Sequence, residues 1–153
     1  MQFSERFPGI VINHERIYVD REQDLDPTLE QLYVAYLMDD LDHAAISVDY
    51  AAGLHYFLDL DLAQPAVVKG QITGPVSWGL MVTDEHRKPV LYDEVLAEAI
   101  GTHLRLKASW VEQQLRKISS QTIIFVDEPY MTSFGSAFVS LSRKEVVSLM
   151  EEV

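Results

Sequence analysis

Two carboxylates, Asp127 and Glu128, end an apolar, β-branched run, Thr122-Ile123-Ile124-Phe125-Val126, and Pro129-Tyr130 follow them. Such a run predicts a strand buried on both faces, as in a parallel sheet. Acidic residues at the carboxyl end of such a strand sit where α/β folds place their ligands. A strand that simply ends in a polar turn gives the same pattern. A second stretch with chemical potential is Thr73-Gly74-Pro75, which follows the run Ala66-Val67-Val68-Lys69-Gly70-Gln71-Ile72. Gly74 admits close approach of backbone or ligand, and Pro75 suits the first position of a helix. Backbone N–H groups at such a helix start can hold an anion or a carbonyl.

Other chemistries find less support. Cysteine is absent, so there is no disulfide framework and no thiolate for zinc or for nucleophilic attack. None of the five histidines is paired with another at the helical i, i+4 ligand spacing. His14 falls in a turn and His86 in the charged segment Thr83 to Pro89, both as solvated side chains. His55 and His103 flank apolar helix faces and read as surface or packed residues. Asp39, Asp40 and Asp42 crowd together, but without the Gly and closing Glu of a calcium loop they read as a solvated acidic turn.

With 153 residues, 48% of them hydrophobic, the chain suits one domain, residues 1–153, with a sizeable core. The net charge of −12 disfavours nucleic acid and anionic membrane surfaces as partners. No run approaches the ~20 apolar residues of a membrane span. The N-terminus lacks the basic and apolar regions of a signal peptide, so the expected location is cytoplasmic.

The elements that must position these residues follow from periodicity. Ile10-Val11-Ile12 and Ile17-Tyr18-Val19-Asp20 predict a β-hairpin. Asp26 is the expected N-cap of a helix whose stripe is Leu29, Leu32, Tyr33, Tyr36 and Leu37. Ser47 is the expected cap of a second helix from Val48 to about Leu60, burying Ala51, Leu54, Phe57 and Leu58. The longest helix is expected from Leu91 to Lys117, with Arg105, Lys107, Arg116 and Lys117 complementing its dipole. Ser142 and Glu145 form a capping box that opens a last helix, Arg143 to Glu152. Alternating units of this kind indicate an α/β sheet with right-handed crossovers.

Together, Lys69-Gly70-Gln71-Ile72-Thr73-Gly74-Pro75-Val76 and Ile124-Phe125-Val126-Asp127-Glu128-Pro129 resemble two signature strands of the cobalamin-independent methionine synthase family. That family lies in the superfamily that includes uroporphyrinogen decarboxylase. Phe7-Pro8-Gly9-Ile10-Val11 through Tyr18-Val19-Asp20 resembles shorter members, so the likeness covers nearly the whole chain. The resemblance implies a TIM (β/α)₈ barrel and transfer of a methyl group to homocysteine held as thiolate on zinc, yielding methionine. Asp127 matches the aspartate that binds the homocysteine amino group, and a carboxylate suits an ammonium. Glu128 and Pro129 complete the motif, with Pro129 fixing the turn. Thr73 and Gly74 match the turn lining the pocket near the methyl donor, a folate or a corrinoid protein. Trp78 lies near the family's folate-contacting Trp but a few residues out of place, and a packed Trp fits it too.

The departures shape the expectation. The family holds zinc with a His-x-Cys, a Glu and a second Cys; this chain has no Cys, and no metal ligands are identified in it. A (β/α)₈ barrel typically needs ~250 residues. The expected architecture is therefore a partial barrel with an N-terminal β-hairpin, either a truncated piece or a naturally shortened relative, inactive alone. Its exposed strand edges and apolar inner face predict a homo-oligomer. Two alternatives stand beside this. One is a uroporphyrinogen decarboxylase-like enzyme, for which Arg87 is the lone arginine near a predicted strand-end loop. The other is a shortened, non-catalytic barrel acting as an assembly module.

Overall fold

The computed structural model describes residues 2–13, 16–63, 65–136 and 139–153. In chain order the elements are β1 (Ile10–Ile12), β2 (Ile17–Val19), α1 (Asp26–Leu37), α2 (Val48–Leu58), β3 (Val68–Thr73), α3 (Pro75–Met81), β4 (Thr83–Asp84), α4 (Glu94–Leu115), β5 (Thr122–Asp127) and α5 (Arg143–Glu151). The expected hairpin forms, with β1 antiparallel to β2 and Ile10 opposite Val19. His14 lies outside the described residues. β4 extends this sheet, parallel to β2. β3 and β5 form a second sheet, parallel and in register from Val68 opposite Thr122 to Thr73 opposite Asp127. The protein is thus mixed α/β, and no closed barrel forms among the described residues.

α4 is the element around which the others pack. The Asp93 carboxylate caps it, accepting from the N–H groups of Val95 and Leu96 at 3.1 Å each. Beyond its first turn, apolar residues point in nearly every direction, and Leu96, Ala99, Ile100, Leu104, Leu106, Trp110, Val111 and Leu115 are all buried. A helix apolar on most sides belongs inside a layered fold. Accordingly α1, α3, α5 and both strands of the second sheet pack on it. Gly70 lets β3 approach closely: an added Cβ would come within 2.8 Å of Leu115 and 2.9 Å of Val111.

Several expectations are corrected. β5 is not buried on both faces. Ile124 and Val126 face the core, whereas Ile123 is 47% and Phe125 51% exposed, because α4 covers one side of the sheet only. The long helix starts at Glu94 rather than Leu91, because Val90–Tyr92 forms a 3₁₀ turn and Asp93 supplies the cap. Asp26 is the first residue of α1 instead of its cap, and its N–H donates to the Asp24 carboxylate (3.1 Å). Tyr36 and Leu37 are exposed, and the buried stripe is Leu32 and Ala35. α2 ends at Leu58, bends at Ala51 (φ −140°, ψ 39°) and receives no side-chain cap from Ser47. The segment from Thr83 to Pro89 is an ordered turn around a buried Asp84, whose Oδ1 accepts from His86 N–H (2.9 Å) and Lys88 N–H (2.8 Å). The His86 side chain is solvated, as expected. Lys107 belongs to the core rather than to a charged face. The capping box of α5 forms as expected.

His103 is packed in that same core. It lies edge-on to Phe7 at 5.4 Å, with Nε2 2.9 Å from the Phe3 carbonyl oxygen. A carbonyl only accepts, so the neutral ring carries its proton on Nε2. Burial, reinforced by the nearby Lys107, lowers its pKa from 6.5 to about 3. Between those values the unfolded chain takes up a proton that the folded chain refuses, so stability falls as pH drops from about 6.5 towards 3. Urea denaturation at pH 7 and pH 4.5 should show wild type losing on the order of 2 kcal/mol more than His103→Gln across that interval. Equal losses in the two proteins would show that this imidazole is not responsible.

Candidate functional site

The parallel register of β3 and β5 brings their carboxyl ends to one level, with Thr73 opposite Asp127. Gly74 N–H continues the ladder by donating to the Asp127 carbonyl (2.8 Å). Gly74 is also the N-cap of α3, with Pro75 as its first residue, as the sequence predicts. From β5 the chain turns through Glu128 into a 3₁₀ turn, Pro129–Ser133.

Glu128 reaches across to the start of α3. Its Oε1 accepts from Val76 N–H at 2.9 Å and its Oε2 from Ser77 N–H at 2.7 Å. These are unpaired donors of a helix start that is buried, and the carboxylate opposes the positive end of the helix dipole. Ser77 Oγ returns the contact by accepting from Tyr130 N–H (3.1 Å). The close approach expected at Gly74 is thus made by the chain's own carboxylate: an added Cβ would lie 2.3 Å from Glu128 Oε1. The anion on this helix start is Glu128 itself.

Asp127, one residue earlier, points the other way because side chains alternate along a strand. It is exposed, and its carboxylate has no hydrogen-bond or ion-pair partner among the described residues. It shares the open face of the sheet with Ile123 and Phe125. Lys69 lies on that face too, its ammonium 4.5 Å from the Phe125 ring centre and 2.6 Å from Gln71 Oε1.

Thr73 and Trp78 meet in a neighbouring cleft of about 630 Å³, whose walls include Phe3, Ile17, Met81 and Arg16. Trp78 is nevertheless a packed residue, with Nε1 donating to Ser4 Oγ (3.2 Å) and its ring 4.6 Å from that of Phe7. The Arg16 guanidinium stacks over Tyr18 at 3.9 Å and donates to the Glu85 carbonyl (3.3 Å). Thr73, Gly74, Asp127 and Glu128 therefore converge at one sheet end, with Trp78 on an adjoining wall. Arg87 sits apart in the turn after β4, with φ 66°. Arg16 and Ser77 escape sequence inspection. A serine at the third position of a helix is the only signal either one gives.

Among the described residues no group of three or more His, Asp or Glu side chains is placed to hold a metal ion. No family model, curated protein or solved structure matches the chain.

The contact between Gly74 and Glu128 lends itself to a double-mutant cycle in urea. Glu128→Ala should cost about 1–3 kcal/mol, the usual value for hydrogen bonds to a charged group. Gly74→Ala should cost a similar amount by displacing that carboxylate. In the double variant the added methyl meets no carboxylate, so the two costs should fall short of additive by about 1 kcal/mol or more. Additive costs would rule out the contact as the reason for glycine.

Proposed function

We propose that the chain is a portion of a methionine synthase-like (β/α)₈ barrel in which Asp127 receives the amino group of homocysteine. The observation that carries this reading is the side-by-side alignment of the two motifs, Thr73-Gly74 and Asp127-Glu128, at the carboxyl ends of adjacent parallel strands. That is where barrels of this class build their sites. Asp127 offers a free carboxylate there, and an ammonium held by it gains a charge-assisted hydrogen bond. Glu128 acts through position: by gripping α3 it fixes the end of β5 and so the direction of Asp127. The cleft lined by Thr73 and Trp78 is the proposed seat of the methyl donor.

The zinc of the resembled family does not fit the residues present. Its thiolate ligands have no counterpart in a sequence without cysteine, and the described carboxylates and imidazoles form no ligand cluster. The chain contributes recognition of the amino acid, and methyl transfer needs groups it does not supply.

A second reading, an assembly module, draws on the open face of the β3–β5 sheet. Ile123 and Phe125 are about half exposed there, and each strand has an unpaired edge among the described residues. Such surfaces associate. Both readings predict measurable behaviour. Homocysteine should bind in calorimetry, and Asp127→Asn should weaken it about tenfold or more. Undetectable binding, or binding indifferent to that substitution, would remove Asp127 from the role. Light scattering across a concentration series should show association that Phe125→Glu abolishes. A wild-type monomer throughout would dispose of the assembly reading.

A further inference from the structure

The open face of the β3–β5 sheet is polarised along its strands. The register sets Lys69 beside Ile123, Gln71 beside Phe125 and Thr73 beside Asp127. Side chains alternate along each strand, and Lys69, Gln71, Ile123, Phe125 and Asp127 are the exposed set. An ammonium therefore stands towards the amino ends of the strands, a carboxylate at their carboxyl ends, and Phe125 midway between. Neither charge has an ion-pair partner among the described residues. α4 packs on the other side of the sheet, and Ile123 and Phe125 stay about half exposed on this one.

Two copies of a chain with net charge −12 repel one another overall. This face, in contrast, carries one charge of each sign around an apolar middle. Those charges also select an orientation. If two such faces stacked with their strands running the same way, both ammoniums would gather at one end and both carboxylates at the other, and like charges so placed oppose association. A two-fold axis across the strands, at the level of Gln71 and Phe125, reverses the second copy. Phe125 then packs on Phe125, and Lys69 of each copy lies over Thr73 and beside Asp127 of the other. Stacked sheets lie ~10 Å apart, a gap that an extended lysine and an aspartate span together.

We infer that this face is self-complementary: two copies stack by it about a two-fold axis with their strands antiparallel, and Lys69–Asp127 pairs flank a Phe125 centre. The inference rests on the assembly reading and gives it a partner, a second copy, and a geometry. The two-fold axis makes the charge pair twice. A face of two six-residue strands measures roughly 20 Å by 10 Å, well below the ~800 Å² per partner of a standard interface. The dimer is accordingly a weak one, with a Kd in the micromolar range or above.

Sedimentation velocity of the full chain tests this. Wild type should pass from monomer to dimer within about 10–500 μM. Lys69→Glu and Asp127→Lys should each weaken the dimer about tenfold or more, by setting like charges opposite one another. Both positions are exposed, so the melting temperatures should stay close to that of wild type. Mixed in equal amounts, the two variants should regain the dimer, because each charge then meets its opposite across the axis. A chain carrying both changes should associate with itself as wild type does. Single variants that associate like wild type, or a mixture that stays monomeric, would overturn the antiparallel stacking. In that event Phe125→Glu, if it still abolished association, would leave the assembly reading standing. Wild type monomeric throughout would overturn the second copy as occupant, and the assembly reading with it.

Discussion

The carboxylate of Glu128 on the first turn of α3 is the constraint from which the rest of the strand-end region follows. Pro75, Val76 and Ser77 are buried, so their helix start has little water to satisfy it. The two oxygens of Glu128, 2.7 and 2.9 Å from Ser77 and Val76 nitrogens, supply acceptors and countercharge together. This ties the residue that leaves β5 to the residues that leave β3. It sets the level of one strand against the other and leaves room at position 74 for glycine alone. Because strand side chains alternate, the inward grip of Glu128 also commits Asp127 to the open face. A structural carboxylate and a free one thus sit side by side, and their roles are fixed by parity.

The second organising feature is α4. Its sequence is too apolar around its circumference to lie on a surface, yet it carries His103 and Lys107 one turn apart into the interior. Their partners are main-chain carbonyls, of Phe3 and Ala45. The N-terminal turn is thereby tied to the core by polar contacts as well as by Phe7 and its packing on Trp78. Lys107 is thus a buried cation in a chain whose net charge is −12.

How much of this was legible in the sequence depends on range. Local signals read well: the hairpin, Pro75 at a helix start and the Ser142–Glu145 box all depend on residues within a few positions of one another. Helix limits shifted where a capping side chain outweighed periodicity, as Asp93 did for α4. Burial was less legible. The run Ile123-Ile124-Phe125-Val126 is apolar throughout, but letters do not say how many layers cover a sheet, and here there is one. Tyr36 and Leu37 fit a helical stripe whose partner covers only part of it. The strand-end residues could be grouped from their motifs, but the grip of Glu128 on α3 spans 52 residues and emerges only once the strands pair. The same is true of Asp84, which looks like one charge among several until its turn closes around it.

The pairing of β3 with β5 also bears on the order of events in folding. The 22 residues of α4 lie between the two strands, and no hairpin can bring them together. A helix of that length relaxes in roughly a microsecond or less, whereas pairing distant strands must first overcome loop-closure entropy. Loop-closure cost therefore favours an order in which α4 forms first and β3 and β5 dock against it. The free carboxylate of Asp127 is thus positioned by pairing with a strand on the far side of α4 in the sequence and not by a local turn.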